Sequence, residues 1–273
     1  VKVADCKFNV EKIESLIAVA EGKGVQIILF PEMSITGYTC GDLFSQQLLL
    51  EEAEMGLMQI LNNTRQLDII SIVGMPVIVN STVINAAVTT FGIEICEDLW
   101  ATIPPGSSLA LQGAEIIFNM SADNEGIGKH SYLRSLISQQ SARCIAGYVF
   151  SSCGFGESTT DVVFAGNGLI YENGTLLAQS ERFSMEEQLV VSEIDVERIR
   201  AERRVNTTFA ASQANLEGKR AIAIATEFVN SKELNLTRKF NAHPFVPQDN
   251  ELHEHCEEVF SIQVAGLTQR LVH

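Results

Sequence analysis

Patterns of apolar residues predict alternating helices and strands along most of the chain. After Asn9, which we expect to cap a helix, apolar residues recur at helical spacing until Gly22 and Gly24 end the element. Residues 25–30, which are apolar apart from Gln26, predict a buried strand that stops at Pro31. Later patterns predict helices at about 47–66, 107–112, 131–144 and 195–204, and strands at 69–79, 114–118 and 145–152. Two further strands, at 83–88 and 91–95, are expected to pair with each other.

Turn signals follow one another closely after residue 160. Gly166-Asn167-Gly168 and Glu172-Asn173-Gly174 interrupt short apolar runs, and Asn-Gly is the strongest two-residue signal for a β-hairpin. These turns predict an antiparallel meander. Strands that first alternate with helices and then form hairpins indicate an α/β layered fold with mixed sheets.

The C-terminal part of the sequence has a different organisation. Residues 206–242 lack sustained periodicity and predict a linker between a domain at 1–205 and a second unit at 243–273. The second unit begins with His243-Pro244-Phe245-Val246-Pro247 and continues into a predicted helix over 249–271 with an apolar face. That face needs a partner, which either the main domain or a further domain supplies.

Composition and charge exclude several classes of protein. The 273 residues, 46% of them apolar, suit a soluble globular protein with a sizeable core, and no apolar run reaches the ~18 residues of a transmembrane helix. The net charge of -15 disfavours nucleic acid and membrane surfaces as partners. Six cysteines without a CxxC pair fit a reduced, cytoplasmic compartment, and the five scattered histidines predict no metal site.

Two residues with catalytic potential directly follow predicted strands. Glu32 comes after the strand at 25–30 and Cys96 after the strand at 91–95, and sites in layered α/β folds gather at such strand ends. A thiol that gives its proton to a carboxylate can attack an amide carbon and form a thioester, which water later releases. A lone cysteine after an apolar strand is more often a packing residue, so this alternative stays open.

The acids around Cys96 create an electrostatic difficulty for that chemistry. Glu32, Glu97 and Asp98 would raise the pKa of the thiol and suppress the thiolate. A working site therefore needs a nearby cation. The sequence has no lysine or arginine between Arg65 and Lys129.

Several motifs together identify a family resemblance. The principal ones are Phe30-Pro31-Glu32, Thr36-Gly37-Tyr38 and the run 92–100 that ends in Cys-Glu-Asp-Leu-Trp; the others are Pro104-Pro105, Asn119-Met120-Ser121, Ile127-Gly128-Lys129, Gln140-Ser141-Ala142-Arg143-Cys144, the runs at 156–161 and 172–174, and His243-Pro244-Phe245-Val246-Pro247. They resemble the nitrilase (carbon–nitrogen hydrolase) superfamily, and within it the glutaminase domains of glutamine-dependent NAD synthetases. The resemblance implies a four-layer α-β-β-α sandwich whose C-terminal linker and helix lead toward an ATP-dependent synthetase domain.

The resemblance also implies functional residues. Glu32 is then the general base and Cys96 the nucleophile. Tyr38 and Glu97 match positions that bind the α-amino and carboxylate end of glutamine. Lys129 matches a basic residue near that carboxylate, while Asp123 replaces an expected serine.

The activity implied by the resemblance is the release of ammonia from glutamine through a cysteine thioester. A synthetase domain of the same polypeptide would use that ammonia to amidate nicotinate adenine dinucleotide, with ATP and Mg²⁺ as its cofactors. The candidate glutaminase domain itself would need no cofactor. The resemblance further implies a homo-oligomer.

One part of the family pattern has no counterpart in this sequence. The catalytic lysine and a covering loop normally precede the cysteine by several dozen residues, but here Asn85-Ala86-Ala87-Val88 runs almost directly into Phe91. The sequence also starts after the family's usual first strand, so we expect it to be incomplete rather than naturally shortened. The alternatives are a stand-alone carbon–nitrogen hydrolase for another small amide and a catalytically silent scaffold.

Overall fold

The computed structural model describes residues 1–79, 82–86, 91–160, 162–213, 236, 238 and 252–272. The elements in chain order are α1 (Cys6–Gly22), β1 (Ile27–Leu29), α2 (Gln47–Thr64), β2 (Ile70–Ile72), β3 (Met75–Val79), β4 (Thr82–Ala86), β5 (Gly92–Ile95), α3 (Pro105–Leu111), β6 (Ile116–Ser121), α4 (Lys129–Cys144), β7 (Gly147–Ser152), β8 (Gly168–Glu172), β9 (Thr175–Gln179), α5 (Val196–Val205), α6 (Thr207–Gln213) and α7 (Leu252–Val272). None of these helices is long and apolar enough to cross a membrane.

The strands form one five-stranded sheet and two smaller pairs. Strands β5 to β9 lie in chain order, with parallel pairing from β5 to β7 and antiparallel pairing from β7 to β9. Strands β1 and β2 pair in parallel, and β3 and β4 pair antiparallel. The fold is therefore α/β with mixed sheets, as the sequence predicted.

Successive side chains of a strand point to opposite faces, so the strands take part in three apolar contacts. Two of these are between a sheet and helices, and one is between two sheets. In β1, Ile28 packs among α1 and α2, whereas Ile27 and Leu29 pack against residues of the five-stranded sheet. In β6, Phe118 belongs to this contact between the sheets, whereas Ile117 packs among α3 and α4. These contacts are consistent with the predicted order of layers, which is helix, sheet, sheet and helix.

The prediction that Asn9 caps the first helix is wrong. Asp5 is the cap, because its carboxylate accepts a hydrogen bond from the Phe8 N–H at 3.1 Å. Asn9 is 1% exposed and donates to the carbonyls of Lys2 at 2.8 Å and Ile35 at 3.0 Å. It therefore anchors the segment before Tyr38 to α1, a tertiary role that helical periodicity does not reveal.

Two strand predictions also needed correction. The single strand predicted at 69–79 is divided into β2 and β3, which pair with different strands. The strands predicted at 83–88 and 91–95 were expected to form a pair, but β4 pairs with β3 while β5 pairs with β6. Residues 80–81 and 87–90, including the junction next to Val88, lie outside the described residues.

The C-terminal region confirms one predicted turn and changes another. Asn173 and Gly174 form the hairpin turn between β8 and β9, as predicted. Gly166-Asn167-Gly168 instead leads into β8 at the end of a long connection from β7.

The predicted linker at 206–242 includes a helix at its start. Residues 207–213 form α6, in which Phe209 is buried. The helix predicted at 249–271 is observed as α7, while the segment His243–Pro247 lies outside the described residues.

Arg203 connects α5 to the ends of α3 and α4. Its guanidinium donates hydrogen bonds to the carbonyls of Ala114 at 2.8 Å, Ile145 at 2.9 Å and Cys144 at 3.0 Å. We expect Arg203→Met to lower the free energy of unfolding by about 2–4 kcal/mol, because it removes charge-assisted bonds and leaves carbonyls unpaired. Urea denaturation measures this loss. The control Arg204→Met, at an exposed neighbour, should change stability by less than about 0.5 kcal/mol, and equal losses would contradict the assignment.

Candidate active site

The segment that follows β1 carries Glu32 to the edge where the β1–β2 pair meets the five-stranded sheet. The Glu32 N–H donates to the Ser121 carbonyl at 3.4 Å, and the Glu32 carbonyl accepts from the Cys153 thiol at 3.6 Å. Ser121 is the last residue of β6, and Cys153 directly follows β7. These contacts join the two sheets at the candidate site and leave Glu32 only 8% exposed.

A glycine permits the close backbone packing beneath Glu32. A Cβ atom on Gly74 would lie 2.7 Å from the Met33 nitrogen and 3.0 Å from the Pro31 carbonyl oxygen, which is too close for any other residue. The Gly74 N–H also donates to the Ser34 hydroxyl at 3.2 Å. Gly74, which lies between β2 and β3, therefore allows the backbone around Glu32 to pack closely against it.

Cys96 occupies a strained turn at the end of β5. Its φ angle of +44° is in the left-handed region, which non-glycine residues rarely adopt. Residues 96–100 form a short 3-10 helix, and the Ile95 N–H donates to the Asp98 carboxylate at 2.8 Å. Asp98 thus stabilises the turn, and such strain between a strand and a helix is a frequent feature of functional sites.

The electrostatics of Cys96 show which groups surround its thiol. Burial is the main cause that raises its pKa, and the charges of Glu32 and Asp123 raise it further. Hydrogen bonds with the Ser121 side chain and the Ala122 backbone act in the opposite direction. The thiol is therefore protonated at neutral pH, and attack on a substrate requires a base.

Tyr38 belongs to the same constellation. Burial raises the pKa of its phenol, and the charges of Glu32, Cys96, Cys153 and Glu97 raise it further. The Tyr38 ring also meets Phe164 edge to face, with 6.1 Å between the ring centroids. The fold therefore brings together Glu32, Tyr38, Cys96 and Glu97, which lie far apart in the sequence.

Lys129 and Asp123 form an ion pair beside this group. The Lys129 ammonium lies 2.6 Å from Asp123 Oδ1, and it also contacts the carbonyl of Asn124 at 2.7 Å and its Oδ1 at 3.0 Å. Lys129 further lies 5.4 Å from the centre of the Trp100 ring. All six predicted site residues thus belong to one region; within the described part of the chain, no group of three acids, histidines or cysteines could hold a metal ion.

Glu157 is a site residue whose role the sequence analysis missed. Its carboxylate accepts hydrogen bonds from the Tyr38 N–H at 2.9 Å, the Thr39 N–H at 2.9 Å and the Thr39 hydroxyl at 2.6 Å. It also interacts with the Cys153 thiol. The motif 156–161 contributed to the family resemblance, but no local pattern connects Glu157 to a loop more than a hundred residues away.

This fold and site define a carbon–nitrogen hydrolase with a candidate cysteine nucleophile and a candidate carboxylate base. A sequence model described as carbon-nitrogen hydrolase matches residues 2–89 and 64–204. The chain therefore belongs to the carbon–nitrogen hydrolase family.

Comparison with individual proteins gives finer similarities. The chain is 30% identical to the glutamine-dependent NAD(+) synthetase of Mycobacterium leprae, and the match covers 98% of this chain and 49% of that protein. The chain thus spans about half the length of the curated relatives it matches. This alignment extends over 334 positions, more than the 273 residues of the chain, so some residues of the relative have no counterpart here.

Solved structures show the same fold at lower identity. The glutamine-dependent NAD(+) synthetase of Cytophaga hutchinsonii matches with a TM-score of 0.61 and 22% identity, over 70% of this chain and 40% of that chain. An amidase of the nitrilase superfamily from Nesterenkonia AN1 matches with a TM-score of 0.59 and 16% identity, over 75% of this chain and 91% of that chain. The fold therefore occurs both in synthetases and in an amidase of about this size.

The pKa of Cys96 can be tested by alkylation. Iodoacetamide reacts with the thiolate, so a raised pKa slows the reaction at neutral pH. At pH 7 we expect Cys96 to react about tenfold or more slowly than the exposed Cys256. Because its pKa is raised, its rate should still increase with pH above the ordinary thiol value of 9.0. Mass spectrometry of the modified peptides gives both rates. Rapid labelling of Cys96 at pH 7, at a rate that does not change with pH around neutrality, would instead show that its thiolate is stabilised.

Proposed function

We propose that this chain is the glutaminase part of a glutamine-dependent NAD synthetase. The observation that carries the proposal is the convergence of Glu32 and Cys96 at the meeting edge of the two sheets in a carbon–nitrogen hydrolase fold. The match to synthetases over 98% of the chain supports glutamine as the amide. The whole enzyme's reaction is part of the proposal, because the chain spans only half of those relatives.

In the proposed mechanism, Glu32 is the general base and Cys96 the nucleophile. Glu32 takes the proton of the protonated thiol, and the sulfur attacks the side-chain amide carbon of glutamine. The carbon–nitrogen bond breaks, the leaving nitrogen takes a proton from Glu32, and ammonia departs from a glutamyl thioester. Water, deprotonated by Glu32, then cleaves the carbon–sulfur bond, and the thiol regains its proton.

The remaining residues would position glutamine in the site. Tyr38 and Glu97 are proposed to bind its α-amino and carboxylate end, with Asp123 and Lys129 beside them. Hydrogen bonds from Ser121 and Ala122 would stabilise the thiolate as it forms, because they lower the pKa of Cys96. Glu157 would act indirectly, since it holds the backbone of Tyr38.

The proposal extends to the rest of the reaction and its setting. The ammonia would pass to a synthetase domain of the same polypeptide, where ATP and Mg²⁺ support the amidation of nicotinate adenine dinucleotide. We also propose a cytoplasmic homo-oligomer.

A catalytically silent scaffold is the competing function, and one sequence observation favours it. The stretch between Arg65 and Lys129 lacks lysine and arginine, so the cation that the family places before the cysteine is absent from it. The longer alignment with the synthetase agrees with a segment that this sequence lacks. A stand-alone hydrolase for another amide is a third candidate, because the fold also matches nearly all of an amidase.

Product analysis with L-glutamine tests the proposed function. We expect the chain to release glutamate and ammonia in equal amounts, and Cys96→Ala to reduce the rate to background, because no thioester can form. Glu32→Gln should lower the rate by about 10²–10⁴-fold, the usual contribution of a general base. Ammonia release is followed by a coupled assay, and glutamate by chromatography.

Matched variants separate catalysis from damage to the fold. Cys256→Ala and Glu54→Gln make the same chemical changes at exposed positions and should keep the parent rate. Hydrolysis of another small amide in place of glutamine would favour the stand-alone enzyme. A correctly folded chain without amide hydrolysis would support the silent scaffold.

A further inference from the structure

Asp123 has an unusual environment beside Cys96. Its side chain is 7% exposed, and Oδ1 contacts the Lys129 ammonium at 2.6 Å. Its other oxygen, Oδ2, is buried and has no hydrogen-bond partner among the described residues. A buried acceptor without a partner loses the hydrogen bonds that water would supply, so it favours a ligand that donates one.

Lys129 is poorly placed to meet a substrate carboxylate. An ammonium group has three N–H donors, and the chain itself supplies three acceptors at hydrogen-bond distance. These are Asp123 Oδ1 at 2.6 Å, the Asn124 carbonyl at 2.7 Å and Asn124 Oδ1 at 3.0 Å. Within this ion pair, the polar atom without a partner among the described residues is therefore an acceptor, Asp123 Oδ2, and not a donor.

The charges of the neighbouring groups reinforce this polarity. Asp123 is close enough to Cys96 to raise the pKa of the thiol, as is Glu32. The guanidinium of Arg182 is paired with the carboxylate of Glu125. Arg182 is therefore engaged by Glu125 and not by Asp123. The carboxylates of Asp123 and Glu32 thus both act on the thiol, and negative charge at this position favours a cationic group on the bound molecule.

We propose that Asp123 is a specificity-determining residue that binds the protonated α-amino group of the substrate through Oδ2. Lys129 is then a positioning residue, which holds Asp123 through Oδ1. This inference rests on the proposed function, since it takes glutamine as the substrate. It differs from the roles that the family resemblance implies, in which Lys129 lies near the carboxylate and the position of Asp123 is a serine.

The test compares two amides that differ in the amine alone. L-Glutamine and glutaramic acid share the carboxamide and the carboxylate, but glutaramic acid lacks the α-amino group. Both are titrated by calorimetry into the Cys96→Ala protein, which prevents turnover. We expect Asp123→Asn to weaken L-glutamine binding by about 10–100-fold and glutaramic acid binding by less than about threefold, because a charge-assisted hydrogen bond to the ammonium is lost.

A second variant and a control complete the experiment. Lys129→Met should also weaken L-glutamine binding more than glutaramic acid binding, because it releases Asp123. A direct contact between Lys129 and the substrate carboxylate would instead weaken both ligands equally. Asp68→Asn, at an exposed position, should leave both affinities unchanged, and thermal unfolding confirms that each variant is folded.

The outcomes distinguish this inference from the proposed function. Equal weakening of both ligands by Asp123→Asn, or no weakening, would overturn the role of Asp123. The unmodified chain's hydrolysis of L-glutamine would then still support the proposed function. If the Cys96→Ala protein bound no L-glutamine, both proposals would be overturned.

Discussion

The candidate site depends on the apolar contact between the β1–β2 pair and the five-stranded sheet. Glu32 follows a strand of the first and Cys96 follows a strand of the second, so this contact brings them together. Ile72, Phe118 and Met120 form the buried centre of this contact. At its edge, the backbone of Glu32 contacts Ser121 and Cys153, so the end of β1 meets the ends of β6 and β7. The carboxylate and the thiol converge because apolar surfaces pack elsewhere, and not because they attract each other. The carboxylate would in fact repel the thiolate form of Cys96.

The acids of the site are accommodated mainly by neutral donors. Glu157 receives two backbone N–H groups and one hydroxyl, and Asp98 receives the N–H of Ile95. Lys129 is paired with Asp123, and the charge of Glu32 raises the pKa of Cys96. Burial and this charge keep the Cys96 thiol protonated at rest, which makes proton transfer to a base the first requirement of any thioester chemistry.

A second group of buried polar residues supports the strand that carries Cys96. Glu94 in β5 accepts hydrogen bonds from the Tyr148 hydroxyl, and also from the Gly106 N–H at 2.7 Å. Asn119 reaches both Glu94 at 3.4 Å and Tyr148 at 3.2 Å. These bonds connect β5, β6 and β7 with the start of α3. The strand before the strained turn at Cys96 is therefore held by side-chain hydrogen bonds in addition to the backbone hydrogen bonds of the sheet.

The sequence by itself determined the regular elements and the identity of the candidate nucleophile and base. Helical spacing of apolar residues and the Asn173-Gly174 turn depend on neighbours within a few positions, so local patterns were sufficient to predict α1, α2, α4 and the β8–β9 hairpin. The tertiary structure alone decided which strands pair, why Asn9 is buried, and how Glu157 holds Tyr38. It also decided that Lys129 is engaged by Asp123 and Asn124. These features are contacts between distant segments, and they exist because burial of apolar faces brings those segments together, a geometry that residue spacing does not record.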